Sequence, residues 1–293
     1  MKWKYEWLAV LVAPWLLTAS LPASATAIDQ WDTGNCAFGA ALQTSCTDTL
    51  TSPSGGPTLT YSAVSDTGSL TGVAGGTKIL AAAYVGNYNP NLGVTSQAGP
   101  NTAATGCSAA GTQECQTAPE DAMDNVGNSE FMLLSFASTV MLNNVQLGSH
   151  NAGTADSDIT VLAYSGAAGG QGLAGKSYNG LTVAGWTLIG NYADVWDTTT
   201  AVSGFGSKTN TVAVNSGNVS SSYWLIGAYN NAFGSAVAGG VGASLSAAND
   251  YVKLLAVYAT PGNSSAPVPE PSSVLLLAIA LAGLTVLRRR GVI

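Results

Sequence analysis

The segment Asp-Ile-Thr-Val-Leu-Ala-Tyr at residues 158–164 decides the fold class of this 293-residue chain. Within it, Ile159, Val161 and Ala163 occupy alternate positions, so one face of an extended segment is more apolar than the other. Successive side chains of a β-strand point to opposite faces, and a period of two is therefore the pattern of a half-buried strand. The segment predicts a β-strand.

Segments of the same kind recur along the chain and are separated by stretches rich in Gly, Asn, Ser and Asp. No amphipathic helix is indicated between the two ends of the chain. This spacing favours an all-β fold, an antiparallel β-sandwich of jelly-roll type. The predicted strands are residues 58–64, 78–85, 130–136, 139–147, 158–164, 186–192, 209–214, 223–229 and 251–259.

Two of these strands share the sequence Leu-Ile-Gly-x-Tyr, at residues 188–192 and 225–229, each just after a tryptophan, Trp186 or Trp224. A glycine inside a strand marks a bulge or the close approach of a neighbour. Two interpretations are open. The segments are core strands whose aromatic rings pack beneath the second sheet, or the tryptophans form an aromatic platform on which sugar rings stack.

Residues 1–27 have the pattern of a secretory signal peptide. Two lysines precede the apolar run 8–17, and small residues follow it as far as Ala27, the predicted cleavage point. Cleavage after Ala25 is the alternative. A true N-terminal membrane span is the other interpretation, but the apolar core is short and contains a proline.

The region 28–268 contains fourteen acidic residues, four lysines and no arginine, a formal net charge near −10. Nucleic acid is excluded as a partner, because phosphate contacts need clustered cations. Gly, Ala, Ser, Thr and Asn are abundant, and clusters of β-branched and aromatic residues interrupt them. This composition favours a secreted β-rich protein over a disordered stalk.

The four cysteines form two pairs that are close in sequence, Cys36 with Cys46 and Cys107 with Cys115. Export places them in an oxidising compartment, where each local disulfide would stabilise the fold by about 2–3 kcal/mol. Other connectivities are open, so local pairing is a hypothesis. A cysteine-rich metal site is the alternative, but neither pair has C-x₂-C spacing and His150 is the single histidine.

The C-terminal residues 269–293 combine a Pro-Glu-Pro motif, the apolar run 274–287 and three arginines. At 1.5 Å per residue the run spans about 21 Å, short of the roughly 30 Å hydrocarbon layer, although flanking serines and arginines extend it. The arginines place the C-terminus on the cytoplasmic side. The tail is therefore predicted to be a transmembrane anchor or sorting device. A buried helix of a soluble domain is the alternative, but such a helix rarely ends in three charges.

In these three parts and their order, the tail resembles the PEP-CTERM sorting signal of surface proteins from exopolysaccharide-producing Gram-negative bacteria. The resemblance implies a partner, exosortase, an integral membrane enzyme that recognises and processes the tail. It implies a route to the inner membrane and then to the cell surface or matrix, not an activity. The matching motif residues are Pro269, Glu270, Pro271, Arg288, Arg289 and Arg290.

A second resemblance covers roughly residues 80–260. Pro-Glu-Asp-Ala-Met-Asp-Asn-Val-Gly at 119–127 is followed by DSDITVLAY, GWTLIGNY, SSYWLIGAYN and YVKLLAV. This pattern resembles the first XDP subgroup of exosortase-dependent surface proteins, which implies no assigned enzymatic activity. The Asp-Asn pair of that group corresponds to Asp124 and Asn125. Asp121 stands where relatives are expected to carry a histidine.

The densest polar stretches of the sequence are residues 119–130 and 156–158. They suggest a calcium site, since carboxylate and amide oxygens are the ligands that Ca²⁺ prefers. We expect a calcium-stabilised loop, although the spacing is not that of an EF-hand. The alternative is that these side chains cap turns between strands through Asx hydrogen bonds. The candidate ligands are Asp121, Asp124, Asn125, Asp156 and Asp158.

No catalytic residue is predicted. His150 lies in a turn-like Gly-Ser-His-Asn context without a G-x-S-x-G elbow nearby. The chain has no Walker loop, Rossmann fingerprint or metalloprotease motif. Paired carboxylates for glycoside hydrolysis stay open, because their separation is a property of the fold.

The predicted organisation is a signal peptide (1–27), an exported β-domain (28–260), a linker (261–268) and the sorting segment (269–293). Whether residues 28–76 form a separate disulfide-bearing part is left open. Two functions fit. The chain is a non-catalytic surface or matrix protein associated with exopolysaccharide, or it is a carbohydrate-binding or polysaccharide-hydrolysing β-sandwich.

Overall fold

A computed structural model describes residues 28–36, 43–48, 55–69, 78–88, 91–96, 122–125, 128–150, 156–196, 210–247 and 249–262. The predicted signal peptide, Cys107, Cys115, Asp121 and the sorting tail lie outside these residues. Among the described residues, no helix is long and apolar enough to cross a membrane.

The predicted all-β class is confirmed, since strands dominate the described residues. The helical elements are α1 (Tyr178–Val183) and the 3₁₀ turns Thr33–Asn35 and Asn231–Phe233. The strands are β1 (Asp29–Asp32), β2 (Ser45–Asp48), β3 (Leu59–Ser69), β4 (Lys78–Ala82), β5 (Tyr84–Tyr88), β6 (Asn91–Thr95), β7 (Met123–Asp124), β8 (Glu130–His150), β9 (Ile159–Tyr164), β10 (Trp186–Ala193), β11 (Thr211–Ala213), β12 (Ser221–Ala228), β13 (Val237–Gly240) and β14 (Tyr251–Pro261).

The strands form one large mixed sheet in the order β13-β10-β9-β12-β8-β14-β6-β5, with shorter strands paired beside this path. The prediction of a purely antiparallel sheet is wrong at one place, because β13 runs parallel to β10. The predicted strands 130–136 and 139–147 are a single strand, β8, of 21 residues. His150 is the last residue of β8 and pairs with Val252, so its predicted turn-like context is wrong.

Strand β8 changes partners halfway along its length. Its first half pairs with β3 on one edge and β12 on the other, and its second half pairs with β14 and β11. The first strands of the domain join the same sheet, since β1 pairs with β14 and β3 with β8.

Two hydrophobic clusters lie on opposite faces of the sheet around β9 and β12. The larger one includes Trp224 and Val161, and the second includes Trp186 beside Tyr164 and α1. Helix α1 is six residues long and begins after Ser177, whose side chain accepts a hydrogen bond from the Gly180 N–H.

The aromatic-platform interpretation is wrong, because both tryptophans are core residues. Trp186 is 1% exposed and Trp224 is fully buried. The Trp224 indole N–H donates to the Ser221 carbonyl at 3.0 Å. The Leu-Ile-Gly-x-Tyr segments are therefore structural strands, each contributing side chains to the core.

The glycines of the two segments behave as predicted. Gly190 lies at a bulge between β10 and β9. Gly227 lies so close to β8 that a Cβ atom there would be 2.3 Å from the Glu130 carbonyl oxygen and 2.5 Å from the Phe131 ring.

The first cysteine pair is linked as predicted. Cys36 and Cys46 form a disulfide with their Cα atoms 5.5 Å apart, joining the segment after β1 to β2. Both cysteines are buried in the larger cluster. The second pair stays a prediction.

Replacing Gly227 with alanine is expected to lower the free energy of unfolding by about 2–3 kcal/mol, because the new methyl group overlaps the backbone of β8. The matched control is Gly172→Ala, where the nearest atom to a new Cβ is 4.0 Å away. That control should change stability by less than about 1 kcal/mol. Urea unfolding followed by tryptophan fluorescence measures both. Equal stability of the two variants would contradict the predicted overlap.

Candidate functional site

Four buried or partly buried aspartates, Asp156, Asp158, Asp194 and Asp250, form what we call the acidic cluster. Its position follows from strand pairing. Asp158 precedes β9 and Asp194 follows β10, and these strands are antiparallel with Ile159 opposite Tyr192. The two aspartates therefore meet at one edge of the sheet. Asp250 precedes β14, and its backbone forms an isolated parallel β-bridge with that of Asp156.

The carboxylates of Asp156, Asp158 and Asp250 have oxygen atoms that lie within 4.8 Å of one another. Asp158 and Asp250 are fully buried. A set of three carboxylates at this separation is a group that could hold a metal ion, and hard oxygen donors suit Ca²⁺.

Backbone N–H groups stabilise the two buried carboxylates. Asp158 accepts hydrogen bonds from the Asp194 N–H at 2.8 Å and from the Ser246 N–H at 2.7 Å. Asp250 accepts from the Asp158 N–H at 2.9 Å. These bonds tie the ends of β9, β10 and β14 together, and they compensate part of the cost of burying charge.

Asn125 connects the cluster to β7. Its side-chain amide donates to Asp250 Oδ2 at 2.5 Å and to the Tyr229 carbonyl at 2.8 Å, and its Oδ1 accepts from the Asp250 N–H at 3.0 Å. Asn125 thus uses both ends of its amide on segments more than a hundred residues away in sequence.

Asp156 lies at the more exposed side of the cluster. Its Oδ1 accepts from the Ser157 N–H at 2.7 Å, and its Oδ2 accepts from the Ser246 hydroxyl. The Asp194 carboxyl is close enough to Asp156 for the two side chains to influence each other.

Asp158, Asp194 and Asp250 hold protons more tightly than isolated carboxyl groups do, because their pKa values are raised. Burial, followed by the negative charge of Asp158, raises the pKa of Asp250 to about 8. Burial also raises the pKa of Asp158 to about 6, and the pKa of Asp194 to about 6 with a further contribution from Asp156. Protonation or a bound cation would each lower the repulsion that remains among these carboxylates.

The structure brings together part of the predicted calcium set. Asn125, Asp156 and Asp158 converge, whereas Asp124 does not belong to the close carboxylate group. The Asp124 N–H donates to Glu130 Oε2 at 3.4 Å, and its charge contributes to the raised pKa of Tyr251. Asp121 lies outside the described residues. Calcium binding itself stays a prediction.

Sequence reasoning missed Asp194 and Asp250. Each is an isolated aspartate at the end of a strand, far from the polar stretches at 119–130 and 156–158. The sequence feature that could have identified them is their position, with Asp194 just after the Leu-Ile-Gly-x-Tyr strand and Asp250 directly before the strand at 251–259. To infer from these positions that the two side chains meet, one must know the order of the strands in the sheet, which the sequence does not reveal.

Comparison with known proteins places one segment of the chain. A family model described as the PEP-CTERM protein-sorting motif matches residues 267–290. Proteins with this motif are exported and sorted to the cell surface, and exosortase processes the motif. No curated protein and no solved structure matches the chain significantly. The resemblance of the remainder to the first XDP subgroup stays a prediction.

The raised pKa values predict that the folded domain is more stable in mild acid. Between pH 4 and pH 8 the folded state binds more protons than the unfolded state, so the free energy of unfolding should fall as pH rises through 6 and 8. Asp194→Asn should raise the free energy of unfolding at pH 8 by about 1–2 kcal/mol, an allowance that includes solvent screening. The substitution removes one negative charge from beside Asp156.

Asparagine is a suitable replacement at this position because residue 194 has a φ of 48°, a conformation that Asp and Asn tolerate. Denaturant unfolding at pH 5 and pH 8, without divalent cations, compares this variant with the wild type. An unchanged pH slope and lower stability at pH 8 would contradict the prediction.

Repeating the pH 8 measurement in millimolar Ca²⁺ tests the calcium hypothesis, which requires a higher melting temperature and heat on calorimetric titration.

Proposed function

We propose that this chain is a non-catalytic exported protein of the cell surface or extracellular matrix, a β-sandwich body of jelly-roll type that associates with exopolysaccharide. The observation that carries the proposal is the sorting motif at residues 267–290. On this route a signal peptide directs export, the tail holds the precursor in the inner membrane of a Gram-negative cell, and exosortase processes it.

The buried character of the acidic cluster supports a structural role over a catalytic one. A general acid or nucleophile must reach its substrate, but Asp158 and Asp250 are fully buried and direct their oxygens at backbone N–H groups and Asn125. The cluster ties three strand ends together, as a structural group would.

The surface of β1, β14 and β8 that faces away from the core supports association with polysaccharide. Gln30, Tyr258 and Asn144 lie in one row across these three strands, because Tyr258 pairs with both of the others. The Tyr258 hydroxyl donates to Gln146 Oε1 at 2.7 Å, and all four side chains are at least partly exposed. Amide and phenol groups on a sheet face match the hydroxyl groups of sugars in hydrogen bonding, and a tyrosine ring offers an apolar surface to a sugar.

Replacing Pro269, Glu270 and Pro271 with alanine should prevent processing of the tail. We expect the variant to accumulate in the membrane fraction with its tail intact, while wild-type protein reaches the outer surface with an altered C-terminus. Intact mass of the protein from both fractions measures this. The matched control replaces Ser272 and Ser273 with alanine, which leaves Pro-Glu-Pro and the three arginines unchanged, and should behave as the wild type. Equal delivery of the triple variant to the surface would contradict the proposal.

The sheet face is tested by Tyr258→Ala combined with Gln146→Ala. We expect the double variant to be sorted normally but to lose most of its retention in the exopolysaccharide fraction, since both substitutions remove sugar-facing hydrogen-bonding groups. Asn179→Ala, at an exposed position of α1, is the matched control. A glycan array and a reducing-sugar assay address the alternative. Release of reducing ends by the wild type would favour a polysaccharide hydrolase and overturn the non-catalytic assignment.

A further inference from the structure

A second polar group lies at the start of β4 and β8, away from the acidic cluster. It consists of Lys78, Asp66 and Asn128. Lys78 is the first residue of β4 and pairs with Ser69 of β3. Asp66 lies at the irregularity between Ser65 and Gly68 in the same pair of strands. Asn128 lies two residues before β8.

The contacts of this group place an amine beside an amide carbonyl and a carboxylate. Lys78 Nζ donates to Asn128 Oδ1 at 3.2 Å and lies 3.6 Å from Asp66 Oδ1. A lysine amine that contacts both a side-chain amide and an acid brings together the reactants and the proton carrier for forming an amide bond between side chains.

The backbone around the three side chains is held firmly. The Ser129 N–H donates to Asp66 Oδ1 at 2.8 Å, and the Asp66 N–H donates to the Ser129 carbonyl at 3.2 Å. The Tyr178 hydroxyl donates to the same carbonyl at 2.7 Å. Asn128 is therefore attached to a residue fixed by three hydrogen bonds, and its side chain stays within reach of Lys78.

Asp66 is suited to carry a proton. It is 5% exposed, and burial raises its pKa, so its carboxylate accepts a proton more readily than an exposed one would. Lys78 is the more exposed partner, with a side chain 47% accessible. Asp66, with Oδ1 3.6 Å from the amine, is placed to take the proton that the amine must lose before it attacks.

We propose that Lys78 and Asn128 become joined by an intramolecular isopeptide bond, with Asp66 as the catalytic acid–base residue. The Lys78 ammonium gives one proton to the Asp66 carboxylate, and the neutral amine attacks Cγ of Asn128. Collapse of the tetrahedral intermediate breaks the bond between Cγ and the amide nitrogen, which leaves as ammonia. The amine proton passes to the departing nitrogen and completes ammonia, and ammonia or water then takes the proton from Asp66 and restores the carboxylate, so no oxidant or cofactor is consumed.

The product would link the first residue of β4 covalently to the segment that leads into β8. The closed loop contains β5, β6 and β7 and the second cysteine pair. Cross-links that close long loops restrict the unfolded chain most. This inference is independent of the proposed matrix association.

The test is peptide mass mapping of the protein produced from the full chain and recovered after export. We expect one branched peptide containing Lys78 and Asn128, about 17 Da lighter than the sum of its two parts because ammonia has been lost. Trypsin should also fail to cut at Lys78 in the denatured protein. The unlinked peptides at their unmodified masses would overturn the proposal.

Lys78→Arg is the decisive variant, because arginine keeps a cation beside Asp66 but its guanidinium does not form the amide. It should lack the branched peptide and melt roughly 10 °C lower than the wild type. A variant that melts within about 1 °C of the wild type would show an ordinary ion pair and overturn the proposal. Lys176→Arg is the matched control, because the Lys176 amine donates to the Gly172 carbonyl and not to the proposed site, and it should retain the branched peptide.

Asp66→Asn tests the role of the carboxylate separately. Its amide preserves the size of the side chain and an oxygen for the Ser129 N–H, but it cannot take the lysine proton. The branched peptide should be absent from this variant. Its presence would overturn the assignment of Asp66 as the catalytic residue.

Discussion

Backbone hydrogen bonding along both edges of β8 is the constraint on which the rest of the structure depends. A strand of 21 residues exposes N–H and C=O groups on both sides, and leaving them unpaired inside a protein is costly. Four different strands satisfy these groups, two on each half. Because β3, β12, β14 and β11 are all aligned on β8, the position of each loop end, including those that carry the acidic cluster, follows from its register.

The long apolar strands could be predicted from the sequence, because burial on one or both faces requires apolar residues at regular positions. The segments at β9, β10, β12 and β14 have that pattern, and the structure places strands there. β1 and β7 were not predicted, because their own sequences lack this apolar pattern. β1 reads Asp-Gln-Trp-Asp and β7 has only two residues, so each depends on its pairing with β14 rather than on its own composition. The parallel strand β13 is similarly short and rich in small residues.

The candidate site was predictable only in part, since it is assembled from four separate segments. Asp156, Asp158 and Asn125 stood in visibly polar stretches, whereas Asp194 and Asp250 were single acids next to apolar strands. The chemistry of the group is decided by proximity. The pKa of an aspartate such as Asp250 rises when folding buries it and places other carboxylates beside it, whatever its neighbours in the sequence are. The same holds for Lys78 and Asn128, which are 50 residues apart in the sequence.

The path of the sheet ends at β13, a four-residue strand whose last glycine has a φ of 102° and whose pairing with β10 is interrupted by a bulge. A terminus this brief and irregular offers little backbone for an incoming chain to extend. A long, regular edge strand is the kind that pairs with strands of other molecules and leads to fibrils. The short and bulged β13 therefore disfavours the addition of a strand from another molecule at this edge of the sheet.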